Sequence, residues 1–396
     1  VTRLFALALA ALLLAPALAR AEPIFAKGAG LPDIYLFPRV EGGAYAAEPY
    51  PDPNGGAEAY GAGRFASMGF DHVRLTLDVG PFLDDPGAAR WWAFRDDFLA
   101  LLERFRRDGL DVIVTLTAPG LNGQIPEDQL DGLEGPKFKR YASIVTRFAT
   151  LLKGRRGRIA LEPMNEPQQE CRTATKPDWT AYQERLVARV RAAAPTLPLF
   201  VTGGCWSQIQ GLDGIGDALL ADPNVLLSVH FYEPFLFTHQ GSTWTLPIMP
   251  LIAGLPFPAA PGALDGALAQ VARLGASLPA LGLVADAQAS VRNYFAEGWT
   301  AARVGEELRK LDQWSRTRGL PADRIVLTEF GAAQAAGLPD DAVSRAAWLE
   351  AVSKTAETYG WGWTLWVPSR GPFGLDDGRG GYDPRLLAAL RLNAPR

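Results

Sequence analysis

The feature that most restricts this chain is a rhythm. Short β-branched or apolar runs alternate with amphipathic stretches of helical period along nearly its whole length. "DHVRLTLD" (71–78), "DVIVTLTAPG" (111–120), "RIALEPMNEP" (158–167), "LPLFVTGG" (197–204), "NVLLSVHFYEP" (224–234), "DRIVLTEFG" (323–331) and "GWTLWVPS" (362–369) read as strands. A first strand is expected at "DIYLFPRV" (33–40), followed by a helix near 56–68. Between the strands, "WWAFRDDFLALLERFRRDG" sets Phe94, Phe98, Leu101, Leu102 and Phe105 on one helical face and stops at Gly109. "KFKRYASIVTRFATLLKG" repeats the pattern through Tyr141, Ile144, Val145, Phe148, Leu151 and Leu152. Further helices are expected in "DWTAYQERLVARVRAAAP", briefly in "GLDGIGDALLAD", over 300–317 and 342–359, and in "YDPRLLAALRLN". Continuous apolar strands, each followed by a helix, imply a parallel sheet buried on both faces. Eight such units predict an α/β fold of one closed (β/α)8 TIM barrel. An open doubly wound sheet would want a phosphate-binding glycine turn after its first strand, and neither GxGxxG nor a Walker pattern occurs.

One connection breaks the rhythm. A long insertion after strand six, about 235–298, is rich in Pro, Gly, Ala and Leu, and "GALDGALAQVARLGASL" (262–278) within it has a helical pattern. Both a cover beside the active face and a decorative insertion fit it.

The N-terminal "VTRLFALALAALLLAPALARA" has a lone Arg3, an apolar run and Ala-x-Ala cleavage patterns, so residues 1–21 are expected to be a signal peptide and 22–396 the barrel. The expectation is a periplasmic or secreted monomer with no membrane association after cleavage. A net charge of −4 gives no basic footprint, so nucleic acid is not an expected partner. The two cysteines, Cys171 and Cys205, follow neighbouring strands, and a disulfide between them would suit an oxidising compartment. Three histidines, His72, His230 and His239, form no ligand cluster with the cysteines in sequence, so no metal is expected. No G-x-S-x-G elbow is present.

In a parallel barrel the chemistry lies at the C-terminal strand ends. The polar and aromatic residues there are Arg74, Asn165, Glu166, His230, Tyr232, Glu329 and Trp366. Two carboxylates at one mouth, Glu166 and Glu329, suggest glycoside hydrolysis, one protonating the leaving oxygen and the other attacking the anomeric carbon. Arg74 would favour an ionised Glu329, Tyr232 would donate to it, and Asn165 would bind the sugar 2-hydroxyl. Flat aromatics make sugar subsites by stacking. Trp206, Trp244 and Trp366 are the candidate platforms, with Phe235, Phe237 and His239 as further cleft residues. Trp363 is expected to face outward, and Trp91, Trp92, Trp314 and Trp348 to pack helices on the barrel.

"NEP" ending strand four, "HFY" on strand six, "TEFG" ending strand seven and Trp366 on strand eight resemble glycoside hydrolase family 5, over essentially the whole chain after residue 21. The resemblance implies a retaining enzyme without a cofactor. Glu166 matches the family's acid/base and Glu329 its nucleophile. Arg74, Asn165, His230, Tyr232 and Trp366 match its sugar-site residues. One departure stands out: the family commonly ends strand three with a histidine, where this chain has Thr117. The resulting expectation is an endo-acting β-1,4-glucanase of cellulase type, taking a β-linked polysaccharide or oligosaccharide. β-Mannan, β-1,3-glucan, mixed-linkage glucan and xyloglucan, or transglycosylation, are the alternatives that the same residues serve. A non-catalytic carbohydrate-binding barrel would be expected to lack one carboxylate, and both are present.

Overall fold

A computed structural model describes residues 24–395, apart from 51, 60–61, 86, 122–129, 169–177, 279–281, 335–341, 369–370, 378 and 380. Eight strands close a barrel in chain order: β1 (Lys27–Gly30), β2 (His72–Asp78), β3 (Asp111–Thr117), β4 (Ile159–Glu162), β5 (Leu199–Thr202), β6 (Val225–Phe231), β7 (Ile325–Phe330) and β8 (Gly362–Leu365). Every pairing is parallel, and β1 closes the ring by pairing with both β2 and β8. The long helices of the outer layer are α1 (Ala89–Arg107), α2 (Pro136–Leu152), α3 (Trp179–Ala193), α4 (Leu264–Ser277), α5 (Val284–Ala296), α6 (Ala301–Thr317), α7 (Ala342–Tyr359) and the short α8 (Pro384–Ala389). Among the described residues no helix is long and apolar enough to cross a membrane. The signal-like residues 1–21 lie outside the described residues.

The first strand is not where hydrophobicity predicts it. "DIYLFPRV" contributes to a 3-10 turn, Pro32–Ile34, and then to a small hairpin in which Val40–Glu41 pairs with Ala44–Tyr45. The strand is instead "KGAG", chosen by space rather than by β-propensity. A Cβ on Gly28 would lie 2.0 Å from the His72 ring. Across the same seam, a Cβ on Gly362 would lie 1.6 Å from the Phe25 carbonyl oxygen. Glycines at these points let β1, β2 and β8 approach closely enough to close the barrel. The displaced Tyr35 packs outward, its ring edge-on to Tyr50, Phe94 and Phe98.

The helix–barrel layer follows the periodic residues closely. Phe94, Phe98, Leu101, Leu102 and Phe105 of α1 and Tyr141, Ile144, Val145 and Phe148 of α2 are all buried. Asp178 and Thr300 cap α3 and α6 with their side-chain oxygens. Trp348 is buried between α7 and the barrel, stacked on Phe231, and Trp363 faces outward to donate to Glu357 on α7. Trp92 departs from the expected packing role, with 57% of its surface exposed, and carries Arg95 over its ring. The insertion contains the expected helix, α4, and a second one, α5, which the loop-like composition hid. Its first residues are tied to the barrel rim, because Ala333 donates its backbone N–H to Thr238 and Tyr232 packs on His239.

Gly362→Ala is expected to destabilise the fold by at least the roughly 1–3 kcal/mol of core overpacking, since the clash is with backbone. A drop in the urea midpoint at unchanged slope would report it.

Candidate active site

Inside the barrel, side chains alternate with a period of two, so layers can be followed upward strand by strand. The lowest layer is apolar: Phe25, Ile113, Ala160, Phe200, Leu226 and Val326. Two residues further along β3, β4, β5, β6 and β7 stand Thr115, Glu162, Thr202, Ser228 and Thr328, all buried and all polar. The barrel therefore turns from hydrocarbon to hydrogen-bonding groups within one step.

The centre of the polar layer is a buried ion cluster. Glu162 Oε2 accepts from Arg74 Nε at 3.1 Å, from Arg74 Nη2 at 2.8 Å and from the Thr115 hydroxyl at 2.6 Å. Its other oxygen accepts from Ser228 at 2.5 Å. The rest of the guanidinium points upward. Nη1 donates to Glu329 Oε1 at 2.5 Å, and Nη2 donates to Asn165 Oδ1 at 2.8 Å. Tyr232 donates to the second oxygen of Glu329 at 3.1 Å. Sequence reading passed over Glu162. The signal was in view, a carboxylate on the inward register two residues above Ala160.

His230 joins the two outer carboxylates. A register irregularity between Val229 and His230 sets His230 directly beside Glu329 on β7, which is how a bulge re-aims a side chain. Its Nδ1 lies 2.7 Å from Glu166 Oε1 and 3.5 Å from Glu329 Oε2. Its Nε2 lies 3.5 Å from Arg74 Nη2, which has only protons to offer. Nε2 is therefore the acceptor, and Nδ1–H donates to Glu166.

Asn165 and Glu166 stand beyond β4, not on it, because the strand ends at Glu162. Glu166 has φ +46°, a left-handed conformation uncommon outside glycine. The turn is held from three sides. Tyr141 donates to the Pro163 carbonyl at 2.7 Å, Asn165 N–H to Leu116 at 2.7 Å, and Trp206 N–H to Pro167 at 2.8 Å. Such over-determination is what sustains strained backbone at a site. Trp206 itself lies in a run of left-handed residues, Cys205 to Ser207.

Burial pushes the Glu166 carboxyl up to about 7, with Glu162 adding to the rise and Arg74 opposing it. That holds although 32% of the side chain still opens to the cleft. Burial also raises Glu329, against the pull of His230 and Arg74. Direct contact with the guanidinium makes Glu329 the carboxyl of the two that ionises first. In Glu162, burial is outweighed by Arg74, His230, Ser228 and Thr115, and its pKa falls. Burial drops His230 to about 4, so the imidazole is neutral at pH 7. One ligand atom from each of Glu166, His230 and Glu329 lies within 4.8 Å of the others, a spacing that a metal ion could bridge. Arg74 already places a positive charge on Glu329 and on Glu162 beneath it.

The structure thus brings together Arg74, Asn165, Glu166, His230, Tyr232 and Glu329. Trp366 is half-buried beside them, packed with Tyr232, Phe235 and Phe373. His239 stacks on Phe235 at 4.0 Å and abuts Phe373. Phe237 is fully buried against Phe257 and lines no cleft. Trp244 is 58% exposed on the insertion, outside the bonded cluster. Thr117 is buried at the end of β3. Cys205 is buried and not a free thiol, while Cys171 lies outside the described residues.

The model of the family described as cellulase (glycosyl hydrolase family 5) matches residues 50–370. The chain belongs to glycosyl hydrolase family 5. It is 26% identical to Endoglucanase 3 of Fibrobacter succinogenes over 208 residues, which are 52% of this chain and 29% of that protein. It is 25% identical to Endoglucanase C of Acetivibrio thermocellus over 185 residues, 46% of this chain and 51% of that protein. The chain thus spans about half or less of the length of these curated relatives. Thermotoga maritima Cel5A in complex with mannotriose has the same fold, with TM-score 0.65 and 18% identity over 93% of this chain and 97% of that one. The same protein with cellobiose gives TM-score 0.63 at 19% identity, again over 93% and 97%. Within this family-5 barrel Glu329 stands near the end of β7 and Glu166 past the end of β4, whereas Arg74, expected at a strand end, is the third residue of β2, in register with Ile113, and reaches the two strand ends through its long side chain.

A titration tests the electrostatics. Carbon-13 carboxyl NMR should find one glutamate titrating near pH 7 that disappears in Glu166→Gln. The folded form holds that proton more tightly than the unfolded chain, so Glu166 loses stability for the fold as pH rises from the ordinary carboxylate range through about 7. The unfolding midpoint of Glu166→Gln relative to wild type should therefore improve between pH 5 and pH 8.

Proposed function

We propose that this chain is a retaining, endo-acting β-glycoside hydrolase whose first substrate class is β-1,4-glucan. The observation that carries the reading is the pairing at the barrel mouth. An oxygen of Glu166 and one of Glu329 fall within 4.8 Å, on the scale of the roughly 5–5.5 Å of retaining carboxyl pairs and well short of the roughly 6.5–9.5 Å that leaves room for water in inverting ones. Endoglucanase relatives and a cellobiose-bound neighbour support the glucan, and the mannotriose-bound neighbour keeps β-mannan as the second reading. Signal-like residues 1–21 support an exported protein, and with it a Cys171–Cys205 bridge bracing the loop beside Glu166.

In the first step Glu329 attacks the anomeric carbon while the Glu166 proton passes to the departing glycosidic oxygen. The products are a glycosyl–Glu329 ester and a free sugar hydroxyl. Glu166, now ionised, takes a proton from water, whose oxygen attacks the same carbon and releases Glu329. Two inversions give net retention. Arg74 and Tyr232 hold the Glu329 oxygens in place for attack. Neutral His230 fixes the Glu166 oxygen that does not carry the proton. Asn165, itself oriented by Arg74, presents its amide N–H2 to the sugar. The partly buried Trp366 offers its face to the ring, and Trp206 and the exposed Trp244 offer further platforms along the chain of sugars.

Glu329→Gln and Glu166→Gln should each lower kcat on soluble β-1,4-glucan by about 10²–10⁴-fold or more. With an aryl glycoside, whose leaving group needs no proton, Glu166→Gln should still form the glycosyl ester, and a mass shift on the protein would reveal it. NMR of the first product should find the β-anomer. Undiminished hydrolysis by Glu329→Gln would sink the nucleophile assignment.

The pH profile follows from the same pair. Activity needs Glu329 ionised and Glu166 protonated, so kcat/KM should fall as pH rises through about 7.

A further inference from the structure

The cluster holds one more carboxylate than the two-step reaction uses. Among the described residues, Arg74 is the cation that bonds any of Glu162, Glu166 and Glu329. Its guanidinium is divided. Nε and Nη2 turn down to Glu162, and Nη1 turns up to Glu329. Glu162 is fully buried and has no opening to the cleft, so it cannot touch substrate. Its two oxygens already accept from Arg74, Thr115 and Ser228, bonds that favour the anion over a proton-carrying form. Removing it from a simple structural count is equally hard, because an apolar residue at this position would leave half a guanidinium unpaired.

We propose that Glu162 is a positioning residue of this site, whose fixed negative charge takes up half of the Arg74 guanidinium so that the remaining donors bond Glu329 and Asn165 and none bonds Glu166. The proposal rests on the reading of Glu166 as acid/base and Glu329 as nucleophile. One positive charge then stands against two carboxylates that must be ionised. Among the described residues, a third ionisation, at Glu166, would have no cation bonded to it, and the neutral His230 beneath it supplies none. The groups facing Glu166 among the described residues are few. They are Arg74 from β2, Glu162 from β4, His230 from β6 with Tyr232 just beyond it, and Glu329 from β7. The inward residues of β3 and β5 nearest this layer, Thr115, Thr117 and Thr202, carry no charge. Tyr232 stays neutral, since burial beside Glu329 drives its pKa far above the usual tyrosine value. Glu162 is thus the charge in this set that bonds neither the cleft nor the reacting pair, and the raised carboxyl of Glu166 owes part of its rise to it.

Glu162→Gln keeps the shape and removes the charge. Both limbs of the kcat/KM profile on soluble β-1,4-glucan should move to lower pH, the basic limb by on the order of one unit. Glu162→Asp keeps the charge and should keep the limbs in place even where kcat falls, and it serves alone if the Gln variant does not fold. A residue that merely props up Arg74 predicts otherwise: a lower kcat with unmoved limbs in Glu162→Gln, or an acid limb moved to higher pH as Arg74 drifts from Glu329. Either result overturns the proposal, as would a shifted basic limb in Glu162→Asp. Carbon-13 carboxyl NMR of Glu166 in wild type and Glu162→Gln gives the same answer without catalysis, with its midpoint expected to fall. Should wild type cleave no glycan while that midpoint falls, the hydrolase reading fails and the charge relation stands. Should wild type cleave and the midpoint hold, the charge relation fails alone.

Discussion

The site depends on a guanidinium placed where water does not reach. Bringing a charge into a barrel interior costs several kcal/mol unless its donors are met. Arg74 meets that cost with acceptors from three strands or their ends: Glu162 and Asn165 around β4, Glu329 on β7 and, more weakly, Thr76 on β2 itself. These strands are not neighbours in the ring. Only a closed barrel brings them to one axis, so the ion cluster and the closure of the sheet are the same event seen at two scales. The glycines at the β1 seam serve that closure, and the apolar layer around Phe200 keeps water from the guanidinium from below.

Above the cluster the protein changes from regular strand to irregular backbone. Glu166, the Cys205–Ser207 run and Val367 all have left-handed φ, and all lie just past strand ends on the same face. A strand can point a side chain only up to its last residue, and with a fixed period of two. Reaching over the barrel axis from β4 requires the chain to leave that register. The link from Trp206 N–H to Pro167 ties one irregular turn to the next, so the departure is shared between neighbouring loops.

Much of this was legible in the sequence, and the failures have physical causes. Strands β2 to β8 announced themselves because a parallel sheet needs continuous apolar runs, and the long helices because one face must be buried. The carboxylates could be found because the fold places chemistry at strand ends. β1 was hidden because its requirement is absence of bulk, and Lys-Gly-Ala-Gly carries no hydrophobic signal; the more apolar Ile34–Phe37 run is flanked by Pro32 and Pro38, which suit turns better. α5 was hidden for the opposite reason, its Val291, Tyr294 and Phe295 diluted by alanine and polar residues. The exposure of Trp92 and the burial of Phe237 turn on which neighbour fills a gap, which spacing alone does not encode. His230 needed a register shift to meet Glu329, and such shifts leave no mark in composition.

Glu166 and Glu329 are both glutamates, both surrounded by protein, and both raised by burial. Their difference does not come from desolvation, because Glu329 is the more deeply buried of the two and yet the one that ionises first. It comes from what each strand end can reach. Glu329, set beside His230 by the register shift on β7, lies where Arg74 Nη1 and the Tyr232 hydroxyl converge, two donors that favour the anion. Glu166, carried past its strand by a left-handed turn, meets a single neutral N–H, and burial together with the nearby Glu162 favours the acid against the opposing field of Arg74. The same backbone irregularity that moves Glu166 over the cleft therefore takes it away from the cation, and geometry and protonation state are set by one local choice.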